Sequence, residues 1–161
     1  GGHAMTRRTG GCQCGAIRYA VEGDLGRASI CHCRMCQKAM GGFFGAFVDA
    51  PSLVWTRGAP AHFQSSNKVA RGFCSACGTP LTVEWEGAKE VPVNVAISTF
   101  DDPSDITPAI QVGIEGLQPW VNHIAEMPIR PSSDAPWQKN IVSNQHPDHD
   151  TEVWPPAKTP G

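Results

Sequence analysis

Residues 69–85 read Val-Ala-Arg-Gly-Phe-Cys-Ser-Ala-Cys-Gly-Thr-Pro-Leu-Thr-Val-Glu-Trp. The opening residues lead into a CxxC pair, Cys74 and Cys77. The closing ones, Leu81 to Trp85, are rich in β-branched and aromatic residues, which suit a pleated, half-buried strand. Two cysteines separated by two residues in a tight turn can aim both sulfurs at one ion, and zinc takes thiolates in a tetrahedron. Gly78 follows the pair and lets the backbone turn back without a Cβ clash. The stretch predicts a metal knuckle leading into a strand.

The chain on either side reads the same way. A turn starting at Glu86-Gly87 separates that strand from another at 91–97, again β-branched. Upstream, strands are expected at 16–21, 27–33, 43–48, 53–56 and 61–64, with a turn at Arg57-Gly58-Ala59-Pro60. Residues 34–40 have room for one short helical turn before Gly41-Gly42 stops it. Downstream, Asp101-Asp102-Pro103-Ser104-Asp105 is a turn cluster, 110–114 a short strand, and 120–127 an extended or helical closing segment. From Pro128 onward Pro, Ser, Asp, His and Asn dominate, so 131–161 reads as a polar tail that wraps the surface or stays disordered. Pro155, Pro156 and Pro160 keep its end out of any helix or central strand. Gly1-Gly2-His3-Ala4 ahead of Met5 reads as an expression scar, which leaves 5–130 as the folded domain.

Composition narrows the class. The 161 residues are 40% apolar, enough for a core, and 17 Gly with 14 Pro favour strands and turns. A formal charge of -2 and a pI near 6.3 lack the basic footprint of a nucleic-acid binder. No apolar run approaches the ~20 residues that span a bilayer, so no membrane partner is expected. No signal peptide is evident. Seven cysteines, an odd number in tight clusters, favour metal ligation over disulfides and hence a reducing, cytoplasmic setting.

The clusters are Cys12-Gln13-Cys14, Cys31-His32-Cys33-Arg34-Met35-Cys36, and the Cys74–Cys77 knuckle. A CxC in an extended segment presents both side chains on one face. Seven thiols divide into four plus three. Cys12, Cys14, Cys74 and Cys77 together complete a closed, structural zinc tetrahedron. Cys31, Cys33 and Cys36 hold a second, labile zinc and leave one position open, as catalytic sites do. His32 points away from the face carrying Cys31 and Cys33 and is read as packed behind the site. A redox CxxC is disfavoured because no βαβ pattern surrounds it. A four-sulfur iron site and an idle, purely structural three-cysteine site are the competing interpretations.

The order Gly11-Cys12-x-Cys14-Gly15, Cys31-x-Cys33-x-x-Cys36, Phe73-Cys74-x-x-Cys77-Gly78 resembles the glutathione-dependent formaldehyde-activating enzymes. Tyr19, the glycine pair, Leu81, Asp101-Asp102-Pro103, Trp120 and Met127-Pro128 extend the likeness over 9–128. The resemblance implies a mainly β, antiparallel β-tent fold with little helix, stabilised by zinc. It implies a structural zinc on the CxC and CxxC cysteines and a second zinc on the CxCxxC cysteines. It also implies a carbon–sulfur lyase that joins glutathione and formaldehyde as S-(hydroxymethyl)glutathione. Gln111 stands near where many relatives carry His, and the tail has no counterpart.

A thiol of pKa ~8.5 is barely ionised at neutral pH, so an open zinc position can draw off its proton. Three thiolates on Zn²⁺ leave one negative charge. Arg34 and Lys38 flank the cluster and are the expected compensating and substrate-binding cations, with Lys68 and Arg71 as alternatives. Cys36 is the candidate nucleophile should the metal leave. Glu84 and Glu86 read as a wet strand face, and His146-Pro147-Asp148-His149-Asp150 as a solvated stretch of tail. Trp85, Trp120 and Trp137 read as core or rim packing. The expected partners are a small thiol and an aldehyde, and an oligomer is compatible. The alternative function is a non-catalytic zinc module that docks a protein partner.

Overall fold

The computed structural model of the chain describes residues 6–157, so the expected scar at 1–4 lies outside the described residues. The chain is mainly β. β1 (Arg7–Gly11), β2 (Arg18–Glu22) and β5 (Leu53–Arg57) form a three-stranded antiparallel sheet in the order β1-β2-β5. The larger sheet contains β3 (Ala28–Cys31), β4 (Gly45–Asp49), β6 (Ala61–Gln64), β7 (Val69–Phe73), β8 (Pro80–Trp85), β9 (Asn94–Ala96) and β10 (Ile110–Val112). Its seven strands run in the order β10-β3-β4-β9-β8-β7-β6.

The sheets are mostly antiparallel, as expected; one pair departs from this, β10 running parallel to β3 with Ile110 opposite Ser29 and Val112 opposite Cys31. The intervening chain first places Phe100 and Ile106 in the core, then returns along β3 in the same direction. The strand expected at 91–97 shrinks to Asn94–Ala96, and its end tightens into a 3-10 turn, Ile97–Thr99. β1 carried no strand signal, since Arg-Arg-Thr-Gly-Gly offers little apolar patterning. Pairing with β2, from Arg7 opposite Glu22 to Gly11 opposite Arg18, makes it a strand.

The core is shared by the two sheets. Tyr19 and Val21 of β2 meet Val48, Leu81 and Val95 of the larger sheet, with Ile17, Ile97, Phe100, Ile106, Cys12 and Cys74 filling the layer. Tyr19 sets its ring edge-on to Phe100 and Trp55, at 5.3 and 6.0 Å between centroids. Alternation along the strands sends the intervening residues to the outer face. There Phe47, Val69, Val83 and Ala96 form a second cluster with Cys36. The single α-helix among the described residues, α1 (Arg34–Met40), lies by this outer face. The Cys33 sulfur caps its start by accepting from the Cys36 N–H, and Gly41 ends it at φ 66°.

The core tryptophan role falls to Trp55. Trp85 is partly exposed, Trp120 stacks edge-on to Phe43 at the rim, and Trp137 is 79% exposed. The closing segment forms a run of 3-10 turns, Pro119–Glu126. Residues 145–154 of the tail press against the β1–β2 turn. No helix among the described residues is long and apolar enough to cross a membrane.

Candidate metal centres

Two turns bring the first cluster together. Cys12 and Cys14 lie in the β1–β2 turn, and Cys74 and Cys77 in the β7–β8 turn, so the cluster joins the two sheets. All four sulfurs fall within 4.8 Å of one another. Cys12 and Cys14 sulfurs are 3.6 Å apart, and those of Cys14 and Cys74 are 3.9 Å apart. Zinc–sulfur bonds of ~2.3 Å give a tetrahedron with edges of about 3.8 Å, so the donor set fits zinc. Backbone N–H groups of Ile17 and Ala16 donate to Cys12 and Cys14 at 3.3 and 3.4 Å. Burial pushes the Cys12 thiol up to about 12. Burial also acts against Cys77, yet hydrogen bonding from Thr79 prevails and brings it down to about 6.

The tail bonds to this turn, which corrects the expectation of a solvated stretch at His146, while Asp148, His149 and Asp150 stay exposed. The His146 N–H donates to the Gln13 carbonyl at 2.7 Å, and Trp154 Nε1 donates to the Cys14 carbonyl at 2.8 Å. Gly15 lies directly under the His146 ring, where a Cβ would overlap it. Buried Arg18 pairs with Asp101 on one side and with Asp150 of the tail on the other, at 2.5 and 2.8 Å. Arg57 donates to the Thr151 carbonyl at 2.6 Å. His146 is only 5% exposed. Local composition hid all this, because the partners lie more than 80 residues away in the chain.

The second cluster is local in sequence. Cys31 ends β3, Cys33 caps α1, and Cys36 sits on the buried side of that helix. Their sulfurs too lie within 4.8 Å of one another. Burial pushes the Cys36 thiol up to about 12, against the pull of Arg71. Burial would raise Cys33 as well, but the Cys36 N–H and neighbouring sulfurs bring it below its usual value. Arg71, 9% exposed, donates from Nη2 to the Cys36 sulfur at 3.4 Å and from Nε to Ser65 at 3.0 Å. Arg34 and Lys38 lie on the exposed side of α1, and Arg34 donates to Gln37 at 2.5 Å.

His32 packs behind the cluster, as expected. It is 1% exposed, rests edge-on against Phe44, and its Nε2 donates to Gln111 Oε1 at 2.7 Å. Behind it, the Gln37 amide donates to the His32 and Gly116 carbonyls, both at 2.7 Å, which ties α1 to the segment after β10. Gly113 adopts φ +61°, and a Cβ there would stand 2.9 Å from the Cys33 nitrogen and 3.2 Å from the Cys31 sulfur. Backbone thus walls one side of the cluster.

The other side opens. Cys31, Cys33 and Cys36 line a groove of about 530 Å³ on the outer face of the large sheet, together with Arg71, Phe47, Val83 and Trp85. Glu84 and Glu86 stay outside it, paired with His62 and Gln64 at 2.6 and 3.1 Å. Sequence reading named Arg71 only as a candidate anion partner and did not foresee the groove. Alternation in β7 and β8 hinted at a face, but not at which strands complete it.

Two cysteine clusters that could hold metal ions, one between the sheets and one open to a groove, characterise this β domain. The chain matches the family model described as glutathione-dependent formaldehyde-activating enzyme over residues 7–115, which include all seven cysteines. It belongs to that family, which connects it at family level with glutathione and formaldehyde. Among solved structures, a Rhodobacter sphaeroides protein from the Northeast Structural Genomics effort aligns with a TM-score of 0.49 and 21% identity, covering 65% of this chain and 99% of that one.

Proposed function

We propose that the protein is a zinc-dependent carbon–sulfur lyase that forms and breaks thiol adducts of a small aldehyde, with glutathione and formaldehyde as the family-level pair. The observation that carries this reading is the open groove at Cys31, Cys33 and Cys36. When bound there, zinc would supply Lewis acidity and lower the pKa of a substrate thiol. Cys12, Cys14, Cys74 and Cys77 are assigned to a structural zinc.

In the forward direction the substrate sulfur attacks the aldehyde carbon. The S–C bond forms, the C=O π bond breaks, and the thiol proton ends on the new hydroxyl. Cys31, Cys33 and Cys36 would hold the zinc beside the groove, and the thiolate form of the reacting sulfur would be favoured there. Arg71 offsets the negative charge gathered on the sulfurs. It takes precedence over Arg34 and Lys38 because it is buried and already bonded to Cys36. The apolar walls at Phe47, Val69 and Val83 exclude water from the attacking sulfur. We assign catalysis to the domain at 5–130, and to 131–161 an accessory role at the structural cluster. A reducing cytoplasm keeps all seven thiols free for metal.

The test is the exchange rate between formaldehyde and its thiol adducts, followed by NMR with and without zinc-loaded protein. Zinc-dependent acceleration for glutathione is expected. No acceleration for any thiol would refute the lyase assignment and favour a module that docks a partner.

A further inference from the structure

The stretch from Met127 to Trp137 reads Met-Pro-Ile-Arg-Pro-Ser-Ser-Asp-Ala-Pro-Trp. About Ser132 it is nearly a palindrome in chemical type. Met127 stands as far from the centre as Trp137, Pro128 as far as Pro136, and Ile129 as far as Ala135. Arg130 mirrors Asp134, so the charges mirror with opposite sign. With a shift of one residue the relation continues outward, Glu126 to Lys139 and Ile124 to Ile141.

The fold leaves this arm uncovered. It is fixed on both flanks: the Gln118 amide donates to Gln37 Oε1 on α1 at 3.0 Å, and the His146 N–H donates to the Gln13 carbonyl at 2.7 Å. Between these anchors, every residue from 122 to 145 is exposed except half-buried Ala135. Ile129 is 98% exposed, and Trp137, Ile141 and Val142 are each more than half exposed. Hydrogen bonds within the arm are local, such as Met127 N–H to the Ile124 carbonyl at 3.1 Å and Gln138 N–H to the Ala135 carbonyl at 3.0 Å. Among the described residues, none joins 122–144 to either sheet. Single exposed apolar side chains are ordinary on a surface, whereas a run of them marks a contact site.

The area agrees. The chain exposes 10535 Å², about a third more than the ~7,800 Å² expected of a compact monomer of 17.2 kDa. An ordinary dimer interface takes ~800 Å² from each copy, well within that excess. Pro128, Pro131 and Pro136 stiffen the arm and lower the entropy lost when it is ordered against a partner.

We infer that the arm docks on the arm of a second copy of this chain, antiparallel across a two-fold axis near Ser132. A two-fold contact sets residue i on residue j and j on i, which is what the mirrored order supplies. Met127 then meets the partner's Trp137, and Arg130 meets the partner's Asp134. The arm's two acidic and two basic side chains cancel between 124 and 141, so the copies do not repel there. A foreign partner gains nothing from the mirror relation. The dimer is independent of the reaction proposed for the groove.

Sedimentation velocity on the zinc-loaded full chain, from about 1 to about 100 μM, reads a dissociation constant in the micromolar range. A monomer–dimer equilibrium is expected. Trp137→Ser should weaken it about thirtyfold, the loss of an aromatic anchor from each copy. Arg130→Asp alone and Asp134→Arg alone should each weaken it about tenfold, because both symmetric ion pairs become repulsive. An equimolar mixture of those two variants should recover the dimer, since each then meets opposite charge. All three variants should keep the melting transition of the natural chain, because the arm lies outside both hydrophobic cores. A chain that stays monomeric over the whole range overturns the inference. So does a dimer indifferent to Trp137→Ser, or a mixture of the charge variants no tighter than either alone.

Discussion

The two cysteine clusters use the same donor atoms in opposite structural settings. The four-cysteine cluster joins two sheets through turns 60 residues apart, and the tail bonds to its CxC turn through Trp154 and His146 while Cys77 stays exposed. The three-cysteine cluster comes from six consecutive residues on one sheet's outer face, with a groove in front of it. A ligand set drawn from distant chain segments makes metal binding part of folding, because no such site survives in the unfolded chain. A local set on an already supported helix and strand adds less to the fold and leaves room for chemistry. Under the proposed function, this difference in setting assigns stability to the first cluster and chemistry to the second.

The strongest way to break this contrast is to remove one ligand from each cluster. Cys74→Ser is expected to abolish the cooperative fold, seen as loss of the circular dichroism melting transition. Cys33→Ser should keep that transition while removing zinc-dependent exchange, because serine can replace the sulfur that caps α1. The reverse pattern would exchange the roles of the two clusters.

Metal release gives the next largest separation. A mild chelator is expected to take one of two zinc ions per chain quickly, with the melting transition retained and the thiols of Cys31, Cys33 and Cys36 becoming open to alkylation. Trp154→Ala, which frees the Cys14 carbonyl, should hasten only the slow release. Equal rates for both ions would remove the distinction between the inter-sheet cluster and the groove cluster.

Gly113→Ala probes the open cluster without touching a ligand. The new Cβ would crowd the Cys33 nitrogen at a positive φ. A loss of about 1–3 kcal/mol of stability is expected from the strained backbone. Faster zinc loss at Cys31, Cys33 and Cys36 should accompany it, checked by melting and by chelator competition.

Acid sharpens the comparison on the side of the inter-sheet cluster. Burial alone would raise the Asp101 carboxyl, but hydrogen bonds from Arg18 and Thr9 win and hold it below its ordinary value. A group depressed in the folded state contributes stability above its unfolded pKa, about 4 for Asp, and that stability is lost as pH falls through the folded value. Denaturant midpoints measured below pH 4 should therefore fall more steeply for the natural chain than for Asp101→Asn. Parallel curves would remove Asp101 from the acid response.

How much of this was legible beforehand depended on distance along the chain. The knuckle at Cys74 and Cys77, the strand through Leu81 and Val83, and the short helix before Gly41 are written in neighbouring residues, and the structure has them. The division into four and three thiols was also readable, because CxC, CxxC and CxCxxC spacings are local geometry. β1 was missed, since its residues become a strand only through pairing with β2. Composition left the tail to wrap the surface or stay disordered and made its His146–Asp150 stretch solvated, yet His146 and Asp150 find partners more than 130 residues away.

The sequence by itself determined a mainly β chain, its two clusters of thiols that could hold metal and its family. Each follows from residue types at short, fixed spacings, where backbone geometry leaves few choices. Tertiary structure alone decided that β10 runs parallel to β3, that Arg71 reaches Cys36, that Arg27 and Trp85 share a groove with the thiols, and that the tail bonds to the CxC turn of the other cluster. Those contacts depend on strand order. Strand order comes from burying both faces of a seven-stranded sheet at once, and no local pattern in the chain encodes that global packing.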